Sequence, residues 1–350
     1  MRPQPMASID SNTKRARFND LIHIIRTYNG HRQPWARAAC RGVKSAYSWI
    51  RSFRQHCYPV AARSQSSAVT GDRYQMATED FVGKEVRFGP TPVTADSVQA
   101  FCKGINEESP QFTDPSAEDF RAHPFHCVTS VIPASGMAIM HPDAAINFQK
   151  IVHAGIEINF RTAILNGDEI TSTAVLNRIE NKTNGRLLEF SFRTTNQERA
   201  VLAEGTTSYF ERGESAGKGK PEFPDDEETA TVLLVKEFDT LPNQSLLYAE
   251  GSGDRFPIHT SDDFARSVGL PGVILHGMCT LALSTRVVVD RSVKGDWGRL
   301  ATVSCRFSQI AQPGERLRVI AYRNRADGVD FETYNMSGSS ILSEAFARIH

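Results

Sequence analysis

The chain has 350 residues, 40% of them hydrophobic, with 40 basic and 40 acidic side chains, enough apolar material for two domains or one doubled unit. Its six cysteines form no C-x-x-C pair and are too sparse for a disulfide framework, which points to a reducing compartment; no apolar run of about 18 residues exists to span a membrane. The neutral total hides an asymmetry: residues 1–70 carry 12 Lys and Arg against Asp10 and Asp20 alone, so the head is basic and the body acidic.

The head comes first in chain order. Its Arg-rich, acid-poor composition is that of a mitochondrial transit peptide. Val43, Ala46, Ile50 and Phe53 recur at helical spacing beside a basic stripe of Arg37, Arg41, Lys44 and Arg51, as in an amphipathic surface helix. We read residues 1–78 as a basic extension that points to the mitochondrial matrix, with an extension carrying no address, in a peroxisomal or cytosolic protein, as the alternatives. It carries no nucleic-acid-binding motif and the body is acidic, so no nucleic-acid partner is expected.

Two bodies of similar size follow, 79–211 and 231–350, separated by a Gly-, Pro- and charge-rich linker at 212–230. They repeat each other. "FRTAILNGDEI" (Phe160 to Ile170) and "FSQIAQPGERL" (Phe307 to Leu317) share the pattern F-x6-G-[DE]-x-[IL] at an offset of 147 residues, and each reads as strand, glycine turn, strand. At the same offset Pro110 falls on Pro257. In the second body, Ser261 to Val268 reads as a short helix ended by Gly269. Gly277 to about Asp290 reads as a longer helix, apolar around most of its circumference and therefore buried. Segments 299–309, 315–324, 329–337 and 341–349 read as strands. The expected architecture is α+β: a long central helix enclosed by a curved antiparallel sheet, twice.

Between Tyr248 and Gly277 lies the stretch with chemical content, "YAEGSGDRFPIHTSDDFARSVGLPGVILHG". Pro257 restrains the loop between Asp254 and His259, so carboxylate and imidazole can converge on one water and exchange protons with it. Gly277, at the start of a buried helix, offers an N–H at the positive end of the dipole, with no side chain to block an approaching carbonyl; that describes an oxyanion site. Plainer readings stand beside these: Asp254 as a turn residue, His259 as a helix-flanking or core residue, Gly277 as a site of close packing.

The window resembles the signature of the MaoC-like, type 2 (R-specific) enoyl-CoA hydratases. Tyr248, Ser252, Gly253, Asp254, Pro257, Ile258, His259, Ala265, Gly269, Leu270, Ile274, Leu275, His276 and Gly277 occupy matching places without a gap, and "LPGVILHGM" is also similar to the dehydratase segment of fungal fatty acid synthase β chains. The resemblance implies a double hotdog whose C-terminal unit carries the catalytic Asp254 and His259 with Gly277 as oxyanion donor. It implies Ser252, Gly253, Phe256, Leu275 and His276 at the substrate, and an N-terminal unit that accommodates the acyl chain. The implied activity is a hydro-lyase interconverting trans-2-enoyl and (R)-3-hydroxyacyl thioesters of CoA or acyl carrier protein, with no metal and no cofactor beyond that carrier, and with homodimerisation open. At the 147-residue offset Asp254 faces Glu107 and His259 faces Phe112, so the first unit has no dyad; His123, His126, His141 and His153 match no motif and read as structural or surface residues. One departure matters: Phe256 stands where the family has asparagine, adding bulk and removing a hydrogen bond. It opens two further readings, a tailoring dehydratase on a polyketide or other unusual acyl thioester, and a non-catalytic acyl-thioester-binding subunit.

Overall fold

β3 (Glu169–Lys182) shows how the sequence pattern becomes layered structure: Ile170, Ser172, Ala174 and Leu176 are buried while their neighbours are not, the period of two that a strand with one covered face requires. The computed structural model describes residues 79–213, 231–323 and 328–350; the basic head, with the targeting expectation that rests on it, and nearly all of the linker lie outside the described residues. Within them, β1 (Glu85–Pro92), β2 (Ile151–Phe160), β3, β4 (Gly185–Thr195), β5 (Val201–Arg212), β6 (Thr231–Asp239), β7 (Leu300–Phe307), β8 (Arg316–Arg323), β9 (Gly328–Asn335) and β10 (Ser340–Ile349) form one ten-stranded sheet. Its order is β1-β3-β4-β5-β2-β7-β10-β9-β8-β6, and every named pairing is antiparallel.

The helices are α1 (Ala95–Gly104), α2 (Pro110–Thr113), α3 (Val128–Ile139), α4 (Gln244–Ser252), α5 (Asp262–Ser267) and α6 (Gly277–Val293). α1 begins at a capping box in which Thr94 and Ser97 each satisfy the other's backbone N–H. α3 packs on β1, β3 and β4, and α6 on β7 through β10, so each half of the sheet encloses one long helix. All eight residues from Met278 to Thr285 are buried; the three polar ones satisfy their hydroxyls internally, Thr280 and Thr285 on carbonyls one turn back and Ser284 with Thr333. The helix outruns its expected end near Asp290 and stops at Val293, where Lys294 adopts a left-handed conformation and returns its N–H to the Val289 carbonyl. α5 begins at the expected cap, Ser261, whose hydroxyl accepts from Phe264 N–H.

The repeat is visible in the register. β2 and β7 lie side by side across the centre of the sheet, and Glu157 pairs directly with Ser304. Those two residues are 147 apart, so a pseudo-two-fold axis passes between them. The repeated F-x6-G segments turn at Gly167 (φ +96°) and Gly314 (φ +84°), a left-handed backbone that favours glycine. On the same axis α1 crosses α4. A Cβ on Gly104 would stand 2.8 Å from Tyr248 Cα, and one on Gly251 would stand 2.5 Å from Phe101 Cα. These are the same contact seen from either half, since both pairs repeat at 147.

Candidate active site

α4 ends on Gly253, left-handed at φ +78°, with its N–H on the Ala249 carbonyl. This turn throws Asp254 out of the helix direction. Ser252 latches it: its hydroxyl donates to the Tyr248 carbonyl at 2.7 Å and accepts the Asp254 N–H at 3.2 Å. One turn of 3₁₀ helix over Pro257–His259 then carries the chain back, and Phe256 N–H donates to Asp254 Oδ1 at 3.2 Å. A carboxylate oxygen of Asp254 and one ring nitrogen each of His259 and His276 lie within 4.8 Å of one another.

The tautomers follow from the partners. His259 Nδ1 donates to the Ile274 carbonyl at 2.9 Å, so in the neutral ring Nε2 carries the basic lone pair. His276 Nε2 donates to the Asp254 carbonyl at 2.9 Å, and its buried Nδ1 finds no hydrogen-bond partner among the described residues. The two imidazoles stack at 3.8 Å between centroids with 21° between planes.

Charge states are set by the surroundings. Burial opposes ionisation of Asp254, but His276, His259, the Phe256 N–H and His153 outweigh it and hold the carboxyl below the usual carboxylate range. Burial pushes His259 down, with Asp254 and the Ile274 carbonyl offsetting only part of the effect. Burial and the neighbouring His259 depress His276 strongly. The resting site therefore holds an ionised carboxylate and neutral imidazoles, the state in which His259 can accept a proton.

Gly277 opens α6, where its N–H has no partner inside the helix. Its missing side chain has a local cause: a Cβ there would meet the Phe307 ring on β7 at 2.8 Å. The Phe256 ring is 38% exposed and packs edge-on to Phe264 at 6.3 Å. Leu275 is buried beside Ala311, Leu317 and Ile341 and gives its N–H to the Ala311 carbonyl. Ser252, Gly253, Leu275 and His276 are thus all engaged with the protein's own groups.

A second set of residues reaches the site from the first half. His153 on β2 stacks on Tyr209 at 4.8 Å and meets Phe307 at 4.6 Å; its Nε2 bonds Thr207 Oγ1 at 2.8 Å, and Tyr209 OH bonds Ser135 Oγ on α3 at 2.7 Å. Both His153 and Tyr209 feel the charge of Asp254. A line of contact therefore runs from α3 through Tyr209, His153 and Phe307 to Gly277. Of the four histidines without a motif, His123 and His126 are buried, while His153 belongs to this line.

The first half also keeps more of the site than a constant offset reveals. Ala122 N–H bonds the Ile164 carbonyl at 2.9 Å as Leu275 N–H bonds the Ala311 carbonyl at 2.8 Å. His123 holds the N-cap position of the turn that starts at Pro124 as His276 holds that of α6 at Gly277, although only the His123 side chain accepts a backbone N–H there. His123 contacts Phe101 and Phe112, and His276 contacts Tyr248 and His259. The counterpart of His276 is therefore His123, six residues out of register with the flanking repeat, and the counterpart of Gly277 is Pro124. Glu107 Oε2 lies 3.9 Å from His123 Nε2. The first unit thus retains an acid and an imidazole but has Phe112 in place of His259, and a proline, which has no N–H, in place of the oxyanion donor. A shared His-[Gly/Pro] pair ahead of an apolar run was the available signal.

Comparison with known proteins agrees with this layout. Residues 221–345 match the MaoC like domain, and residues 80–204 match the FAS1-like, dehydratase domain region. The chain is 34% identical over 129 residues to "Enoyl-CoA hydratase ChsH3" of Mycobacterium tuberculosis, covering 37% of this chain and 42% of that one. It is 42% identical over 85 residues to "Enoyl-CoA hydratase 2, peroxisomal" of Arabidopsis thaliana, covering 24% and 27%; it spans less than half the length of either relative. The structure of a MaoC-like dehydratase from Phytophthora capsici superposes with a TM-score of 0.67 at 23% identity, over 78% of this chain and 97% of that one. Of the two helix-in-sheet units, the second thus carries a MaoC-like domain and the first matches a dehydratase domain region, and the fold is that of a MaoC-like dehydratase.

Proposed function

We propose that the second unit hydrates trans-2-enoyl thioesters, and dehydrates (R)-3-hydroxyacyl thioesters in reverse. The observation that carries the reading is the Asp254–His259 pair, ionised and neutral respectively, in the same unit as the free Gly277 N–H. In the hydration direction His259 Nε2 removes a proton from a water held against Asp254, and the water oxygen bonds to C3 of the substrate. The double-bond electrons move toward the thioester oxygen, where the Gly277 N–H meets the developing charge, and return of the proton held by His259 to C2 completes the addition and restores the neutral imidazole. Only water is consumed, and the reaction needs no group beyond the CoA or acyl carrier protein that carries the acyl chain. The acyl chain lies along α3, on whose open side Ile132, Pro133, Gly136 and Met137 are half-buried and where a Cβ on Gly136 would meet nothing within 4 Å.

The test is the ultraviolet absorbance of the conjugated enoyl thioester when the protein meets trans-2-enoyl-CoAs of increasing chain length and branching. Decay with wild type, and loss of at least a hundredfold in Asp254→Asn and in His259→Ala, is expected, general acid–base groups typically contributing that much. Undiminished turnover in either variant would falsify the assignment of roles. Turnover only of bulky or branched acyl groups would favour the tailoring reading, with Phe256 as the residue to revert to asparagine.

A further inference from the structure

We infer that the first unit holds a second, non-catalytic binding site for an amphipathic anion of the fatty-acyl class. A cleft of about 310 Å³ is lined by Phe160, Ile164, Leu202, Trp297 and Leu300, with Pro124 in its wall and Arg121 and Arg161 contributing charge. Its size lies at the small end of ligand pockets, and such pockets characteristically pair apolar walls with a few polar groups. Its position in the fold says what the cleft is. Pro124 is the counterpart of Gly277, Phe160 of Phe307, Ile164 of Ala311 and Leu300 of His153, so the cleft is the first unit's version of the catalytic cleft.

The chemistry at its inner end has changed in one direction. Pro124 removes the N–H that would polarise a carbonyl, and Phe112 removes the imidazole. The Arg121 guanidinium lies over the Phe112 ring, 5.8 Å from its centroid, so a cation stands beside the residue that replaces the base. Arg161 is paired with Glu204 at 3.1 Å, so the loosely compensated charge at the cleft is that of Arg121, whose close partner at 2.8 Å is the neutral Gln111 and whose acidic neighbour, Asp119, is exposed and 4.0 Å away. An apolar trough with a guanidinium at its end selects an acyl chain bearing an anionic group, whether the carboxylate of a free fatty acid or the phosphates of a CoA thioester, and offers that ligand no route to turnover. The site stands on geometry separate from the dyad, whether or not the second unit is a hydratase.

Full-length protein is titrated calorimetrically with decanoate and with decanoyl-CoA, a saturated thioester that cannot be hydrated, while tryptophan fluorescence is followed in parallel. Trp297 lines the cleft and packs on His123 at 4.2 Å, so occupancy of the cleft changes a signal that Trp297→Phe removes. Ala163→Trp fills the exposed rim without touching the core. The expected result is a binding event with a Trp297 response, additional to any at the dyad, that Ala163→Trp abolishes and Arg121→Glu weakens at least tenfold, while enoyl-CoA turnover in Ala163→Trp is unchanged. A response to decanoate alone assigns the anionic end to a carboxylate, and a response to decanoyl-CoA alone assigns it to the carrier; either supports the site. The absence of a Trp297 response to both ligands, or its persistence in Ala163→Trp, overturns it, and neither outcome alters the reading of the dyad, which enoyl-CoA turnover judges on its own.

Discussion

His276 touches both members of the dyad without being one of them. Its Nε2–H holds the main-chain carbonyl of Asp254 and its face covers His259, so it acts as a positioning residue. His276→Phe keeps an aromatic plane against His259 and removes the hydrogen bond, whose typical net value of about 0.5–1.5 kcal/mol corresponds to a two- to tenfold loss in kcat with KM little changed. Steady-state kinetics on an enoyl-CoA substrate check this, and a KM rise at constant kcat would mark His276 as a substrate contact instead. Asp254, His259 and Gly277 were legible in the sequence because one 30-residue window contains them and local turns bring them together. His153 and Tyr209 were not, because each reaches the site only after β2 has paired with β7 and β5. His123 was hidden by a six-residue slip that only the repeated Ala122 and Leu275 hydrogen bonds correct.

At the scale of elements, the crossing of α1 and α4 places two helix backbones in contact, and glycine is what lets them meet. A Cβ on Gly251 would come within 2.4 Å of the Ala100 carbonyl oxygen, and a backbone atom inside a helix has no room to give. Gly251→Ala is expected to destabilise the protein by about 1–3 kcal/mol, the usual range for overpacking, as read from denaturant midpoints. Gly136 on α3 presents the opposite case, since open space faces it; Gly136→Phe leaves folding intact and shifts the preference of the enoyl-CoA assay toward shorter acyl chains. An unchanged chain-length profile in that variant would remove α3 from the acyl path. The two central helices could be anticipated from their apolar character, but nothing local distinguishes a glycine that permits a crossing from one that borders a cavity.

The whole molecule carries a pH signature from imidazoles buried in neutral form. Burial is the main cause at His123, pushed down to about 3 with help from His126 and Arg286, at His126, pushed down to about 4, and at His276, depressed by burial and by His259. In the unfolded chain these rings take up protons near pH 6.5, while the folded ones do not until pH is far lower, so the unfolded state binds more protons in between. Stability is fully present above pH 6.5 and is lost as pH falls from there toward about 4, each ring contributing up to about 1.4 kcal/mol per pH unit. Thermal midpoints measured between pH 7.5 and 4.5 should fall progressively below 6.5, and replacing His126 by an apolar residue of similar volume should flatten the slope. A flat profile in the wild type would mean that the rings take up protons in the folded state.

The pairing of Glu157 with Ser304 on the pseudo-axis has a consequence for ancestry. In a true homodimer a residue on the axis meets its own copy, so an axial glutamate would confront another glutamate directly across the ladder, an arrangement that destabilises a sheet. Covalent tandem fusion lifts that restriction, because the two partners are encoded separately. The Glu157–Ser304 pair is an asymmetry open to a single chain and closed to two identical ones.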